Sequence, residues 1–205
     1  MLKCIEFNDR SGENMPLSAS TALMLIDQQQ GILEPRLGPR NNPEAEARML
    51  ELLAHWRARA WPVIHVQHLS RSRDSVFWPG QSGVEFQPRF RPQDGEWLIR
   101  KQVPDAFCAN PLEADLRREG ITGLVMVGVA TNNSVESTAR TAGNLGFAVW
   151  VVADACYTFD KPDFAGRART AEEVHAMSLA NLQGEYATVL SQEQLLAGEA
   201  GQCCR

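Results

Sequence analysis

The chain has 205 residues, of which 44% are hydrophobic and 22% charged, the make-up of one globular domain with room for a full core. Lys and Arg number 20 against 25 Asp and Glu, a formal charge of -5, which gives a polyanion little reason to bind and argues against nucleic acid as a partner. No apolar run approaches bilayer-spanning length, and the start MLKCIEFNDRSGENM lacks the basic-then-apolar plan of a secretion signal, so a cytoplasmic protein with no membrane partner is expected.

After a polar leader, residues 1–20, the run TALMLI (Thr21 to Ile26) predicts a first strand closed by Asp27. A carboxylate at the end of a central strand is costly to bury without a partner; exposure in a loop is the ordinary alternative. Gln28, Gln29, Gln30 and Gly31 lead into an irregular stretch with Pro35, Gly38 and Pro39 that should lie over the same edge. Asn42 and Pro43 predict a cap and first-turn proline for a helix reaching about Ala60. VIHVQ (Val63 to Gln67) is a second strand, ending beside His68. His55, His65 and His68 invite a metal reading, but the first lies in a helix and the second inside a strand. A single metal site needs three or four converging ligands, so none is expected. The stretch from Leu69 to Gly95 carries Phe77, Trp78, Phe86 and Phe90. It reads as a lid or binding loop, or as cover for the sheet edge or a subunit contact.

EWLIR (Glu96 to Arg100) is a short third strand, followed by Lys101. Asn110, Pro111 and Glu113 carry the signature of a capping box, and the helix they open should stop at Gly120. The compact apolar run Leu124 to Val129 suits a buried parallel strand. Beyond it Val135, Thr138, Ala139, Ala142 and Leu145 recur at helical spacing, which places Ser134 in the first helical turn. Unpaired N–H groups and the positive end of the dipole favour an anion there, although a helix cap is the commoner role for such a serine. FAVWVVA (Phe147 to Ala153), ending at Asp154, is a fifth strand. A helix from Ala171 to Leu182, a last strand from Tyr186 to Leu190 and a tail over 191–205 complete the chain. Six strands alternating with helices indicate an α/β protein with a parallel sheet covered on both faces. The first strand is followed by no glycine fingerprint, and no GxxxxGK[ST] run occurs, so no nucleotide cofactor is expected. Cys4, Cys108, Cys156, Cys203 and Cys204 are odd in number and scattered, which is not a disulfide framework.

Three residues with chemistry stand at strand ends: Asp27, Lys101 and Ser134. Parallel strands put their carboxyl ends on one edge, so residues far apart in sequence can converge there. A hydroxyl at a helix start can attack a carbonyl while a carboxylate takes its proton and backbone N–H groups hold the oxyanion. An ion pair plus a helix cap is the alternative.

Four segments, LMLIDQQ at Leu23 to Gln29, the Lys101 region with Phe107, GVATNNSVESTARTAGNLGF from Gly128 and VVADACYTF from Val151, together resemble the isochorismatase-like hydrolase superfamily over Thr21 to Leu190. The resemblance implies a three-layer Rossmann-like fold over 21–190, with a six-stranded, mainly parallel sheet of order 3-2-1-4-5-6. It also implies a small-molecule substrate and a homodimer or homotetramer, and adds no cofactor. In the amide-hydrolysing branch the triad is Asp, Lys and Cys, which maps to Asp27, Lys101 and Ser134. The family's cis peptide before the nucleophile loop maps to Val129–Ala130, turning the N–H of Ala130, with that of Ser134, toward an oxyanion. Serine stands where that branch has cysteine, and a hydroxyl needs stronger base assistance than a thiol. In the isochorismatase branch the cysteine can be absent, and the Asp protonates a vinyl ether so that water adds. A difference of Asp for Asn at Asn132, and no Asp-x-His pattern near His68, separate the chain from the nicotinamidases. Gln29, His68, Trp78, Phe107 and Asn133 are the candidates for binding substrate. Three functions stand open: hydrolysis of an amide or related C–N bond, vinyl-ether hydrolysis by Asp27 and water, and binding without catalysis.

Overall fold

Alternation along β1 (Thr21–Ile26) sets the layers of the molecule, a computed structural model that describes residues 17–200. Ala22, Met24 and Ile26 face one core and Leu23 and Leu25 the other, all at most 1% exposed. A strand buried on both faces is central, as its unbroken apolar sequence requires. The first core is closed by α2 (Leu112–Arg118), α3 (Glu136–Asn144) and α4 (Ala171–Leu182), through Leu112, Leu116, Ala139, Ala142 and Leu182. The second is closed by α1 (Ala45–Ala58) and α5 (Gln192–Ala200), through Met49, Leu52, Leu53, Trp56 and Leu195.

The remaining strands are β2 (Val63–His68), β3 (Trp97–Lys101), β4 (Gly123–Val129), β5 (Ala148–Tyr157) and β6 (Thr188–Leu190). They form one six-stranded sheet of order β3-β2-β1-β4-β5-β6 with every neighbour parallel, the expected Rossmann-like α/β arrangement. A separate two-stranded antiparallel ribbon pairs Lys161–Pro162 with Ala168–Arg169. Register brings the carboxyl ends level: Ile26 lies beside both Val66 and Gly128, and His68 beside Lys101. Gly128, at φ 131°, lets β4 press against β1, because a Cβ there would sit 2.2 Å from the Ile26 carbonyl oxygen.

Several boundaries differ from those read in the sequence. Helix α1 starts at Ala45, not at Pro43, because Asn42 sits at φ 45° and does not cap it. The Asn42 amide instead donates to the carbonyls of Ala153 and Cys156, fastening this turn to β5. The cap position of α2 falls on Pro111 and carries no side-chain cap; Asn110, one residue earlier, only accepts locally at Oδ1 from the Leu112 N–H, and Glu113 completes no box and pairs with Arg117. Strand β5 runs on through Asp154 to Tyr157 after a register shift opposite Met126 and Gly128. The stretch after β6, read as tail, forms α5 and packs Leu195 and Leu196 onto the second core. The leader through residue 16, with Cys4, and the Cys203–Cys204 pair lie outside the described residues. Cys156 is buried, with its thiol pushed up to about 12 by that burial, while Cys108 is exposed. Among the described residues no helix is long and apolar enough to cross a membrane.

Candidate active site

Asp27 is the first residue beyond β1, held at φ 55° with its N–H donating to the Val66 carbonyl. Asp is among the few residues that tolerate this left-handed conformation. The kink turns the side chain inward at the sheet edge, where it is 2% exposed. Lys101, the last residue of β3, is equally buried and reaches across β2 to it. On the far side, β4 ends in a cis Val129–Ala130 peptide and passes into a single π-type turn, Thr131–Val135, which carries Ser134 at 4% exposure. The Ala130 carbonyl accepts from both the Asn133 and Val135 N–H groups and so closes this turn.

The three side chains meet. Lys101 Nζ donates to Asp27 Oδ2 at 2.8 Å and to Ser134 Oγ at 2.9 Å, and Ser134 Oγ donates to the same Asp27 Oδ2 at 2.7 Å. A third contact joins Lys101 Nζ to His68 Nδ1 at 3.1 Å. Burial, then the Lys101 charge, lowers the His68 imidazole from the ordinary histidine range, with Asp27 opposing. Asp27 Oδ1 is buried and has no partner among the described residues. A buried carboxylate oxygen without a donor is costly unless a ligand or water completes it.

A cavity of about 390 Å3 opens over this floor, within the usual range for small-molecule sites. Ile32, Leu37, Val76, Phe77 and Phe159 form its apolar walls, and Arg36 and Asp74 stand among its lining residues. Asp27, His68, Val129, Ala130, Asn133 and Ser134 all line it. Gln29, Trp78 and Phe107 do not. The Gln29 amide is fully buried and used up by the backbone: Nε2 donates to the His68 and Val84 carbonyls, and Oε1 accepts from the His68 N–H. Trp78 lies beneath the Arg73 guanidinium, and Phe107 packs against Phe147 in the first core.

Most of the wall carries no signal in the sequence. Phe159 closes the VVADACYTF run and was within reach, but Phe77 and Trp78 are neighbours in an irregular loop, where no periodicity says which turns inward. His175 likewise has no local sequence signal; its Nδ1 lies 2.9 Å from Thr131 Oγ1 behind the turn that carries Ser134. Ser178, one turn further along α4, donates to the Thr131 carbonyl. His65 is fully buried, far from any edge role, with Nε2 2.8 Å from Glu96 Oε2. Among the described residues no three His, Cys, Asp or Glu side chains gather to hold a metal ion.

Comparison with known proteins agrees with this architecture. Residues 21–194 match the family model described as the isochorismatase domain. The crystal structure of a putative hydrolase of the isochorismatase family from Chromobacterium violaceum superposes with a TM-score of 0.84 at 47% identity, covering 98% of this chain and 100% of that one. The isochorismatase family protein YrdC of Bacillus subtilis is 35% identical over 175 residues, 85% of this chain and 94% of its own. Streptothricin hydrolase of Streptomyces noursei is 34% identical over 145 residues, 69% of this chain and 51% of its own.

Proposed function

Because the chain belongs to the isochorismatase family, we propose that it is a hydrolase cleaving an amide or related C–N bond of a small molecule, with Ser134 as nucleophile and Asp27 as its base. One observation carries this reading: Ser134 Oγ donates to Asp27 Oδ2 at 2.7 Å while accepting from Lys101 Nζ at 2.9 Å. A nucleophile is bonded directly to a carboxylate that can take its proton, and a cation steadies both. In the first half-reaction Ser134 Oγ bonds to the substrate carbonyl carbon and its proton passes to Asp27. The N–H of Ala130, with that of Ser134, receives the oxyanion. Collapse of the tetrahedral species breaks the C–N bond, and Asp27 returns the proton to the departing nitrogen. Water then attacks the Ser134 ester, giving its proton to Asp27, which restores the serine. The cavity's size and mixed lining suit a small substrate with an apolar body. An oligomer, dimer or tetramer, belongs to the same reading.

The unpartnered Asp27 Oδ1 favours a second reading. A protonated Asp27 presenting that oxygen to a vinyl ether would let water add without any bond to Ser134. The two separate on Ser134. The serine route predicts a substrate-dependent mass increase on the protein that disappears in Ser134→Ala, with turnover lost by about a thousandfold or more. Ser134→Cys should retain or raise amide hydrolysis, because a thiolate is the better nucleophile. Near-normal turnover by Ser134→Ala, with no adduct on the native protein, would move the assignment to the water route. Asp27→Asn should be severe in both.

A further inference from the structure

We infer that His68 reads the substrate: locked by Lys101 into the tautomer with its proton on Nε2, it offers that N–H in the cavity to a second oxygen acceptor, beyond the bond to be cleaved. An ammonium has three protons and no lone pair. Lys101 Nζ faces Asp27 Oδ2, Ser134 Oγ and His68 Nδ1 at 2.8, 2.9 and 3.1 Å, so Nδ1 must supply a lone pair. A neutral imidazole with a bare Nδ1 carries its one proton on Nε2. That nitrogen has no protein partner among the described residues and is not sealed in, while the ring lines the cavity beside Phe77, 5.6 Å between centroids.

The imidazole is also held in place from behind. Gln29 accepts from the His68 N–H at 2.8 Å and donates to its carbonyl at 2.9 Å, so one buried amide clamps the backbone on both sides. A donor fixed by its supports costs little to use, which is how a binding site gains selectivity. Asp27, whose buried Oδ1 has no donor among the described residues, therefore lines the cavity floor as an unfilled acceptor, and His68 Nε2–H stands in the same cavity as an open donor. The matching ligand is an acyl amide or ureide with an N–H for the carboxylate and a further carbonyl or carboxylate oxygen for the imidazole. This choice of ligand rests on the hydrolase reading; the tautomer does not.

Two measurements test it. With histidine labelled by 15N, long-range 1H–15N correlation spectra should show His68, assigned by its absence in His68→Phe, as the Nε2–H tautomer. The Lys101→Met protein should lose that preference. For the ligand, meta- and para-acetylbenzamide differ from the corresponding ethylbenzamides in little but the distal carbonyl oxygen. At least one acetyl compound should shift the Nε2–H resonance and bind about three- to tenfold more tightly than its ethyl partner, and His68→Phe should erase that difference. An Nδ1–H tautomer, or acetyl and ethyl compounds bound alike or not at all, would overturn the proposal. Hydrolysis of both series at equal rates by native protein and His68→Phe would overturn it too and leave the hydrolase reading standing. Selective binding with no hydrolysis of any amide would do the reverse.

Discussion

Lys101 spends all three of its protons inside the protein, and that fixes what the residues around it can do. It cannot greet a substrate; it orients Asp27, Ser134 and His68 instead. The pH dependence follows from the third of these bonds. His68 faces Lys101, Asp27 and the Phe77 ring, and burial and Lys101 lower its pKa from 6.5. A second proton, on Nδ1, is therefore excluded at neutral pH and enters only as pH falls below 6.5. Once Nδ1 is protonated it can no longer accept from Lys101, and two cations share one wall. Turnover should fall on the acid side with a midpoint below 6.5, and the His68→Phe protein should lack that limb. Since the unfolded chain takes the proton first, His68's contribution to stability is present above 6.5 and is lost as pH falls. Identical acid limbs in kcat/KM for native protein and His68→Phe would show that His68 does not set this limb. The three strand-end residues were legible because parallel strands deliver their ends to one edge. The lysine–histidine contact was not, since nothing in a sequence says where an ammonium places its third proton.

At the scale of elements, the loop between β2 and β3 is shaped by two glycines that lie against one carbonyl. A Cβ on Gly31 would sit 2.5 Å from the Val76 oxygen, and one on Gly83 2.1 Å from it. Together with the bonds from Gln30 N to the Glu85 carbonyl and from Gln87 N to the Gln28 carbonyl, they hold the loop against the chain that leaves Asp27. Val76 and Phe77 become cavity wall as a result. Gly83→Ala should push the loop outward at a cost of about 1–3 kcal/mol. Its signature would be a raised KM with kcat much less changed, because the wall binds and does not react. Kinetics and a melting curve on the variant check this, and unchanged values in both would show that the loop is not so constrained. The loop's role was open in the sequence because irregular segments have no period to read. Strand β5 shows a related limit. Its apolar run stops at Asp154, yet the strand continues, because Arg48 pairs with that carboxylate at 3.1 Å and the Gln192 N–H donates to it. A charge ends a strand only if no distant partner covers it.

Across the whole molecule, the candidate site sits on one edge of the sheet and rests on how firmly the layers grip the strands beneath. Apolar alternation announced both faces of the sheet, whereas the order of its strands came from resemblance, because periodicity carries no information on which strand lies beside which. One polar cluster was legible in neither way. Glu96, just before β3, takes a fork of bonds from Arg57 of α1 at 2.7 and 2.9 Å, the Gln93 N–H at 2.8 Å and a contact with buried His65 of β2 at 2.8 Å. The cluster thus ties α1 to two strands of the sheet. Burial pushes the Glu96 carboxyl upward, but Arg57, the Gln93 N–H and His65 outweigh it and bring the pKa from 4.5 down to about 2. A carboxyl depressed on folding stabilises above its unfolded value, and that stability drains away as pH falls from 4.5 toward about 2. His65, held down by burial against the pull of Glu96, acts in the same direction from 6.5 downward. Glu96→Gln should therefore cost about 1.5–3 kcal/mol at neutral pH, the worth of hydrogen bonds to a charged group. In urea unfolding of both proteins the gap should be widest at pH ~7 and narrow at pH ~3, where the native carboxylate is losing its advantage over the unfolded acid. A gap of the same size at both pH values would mean that packing, not charge, joins α1 to the sheet here.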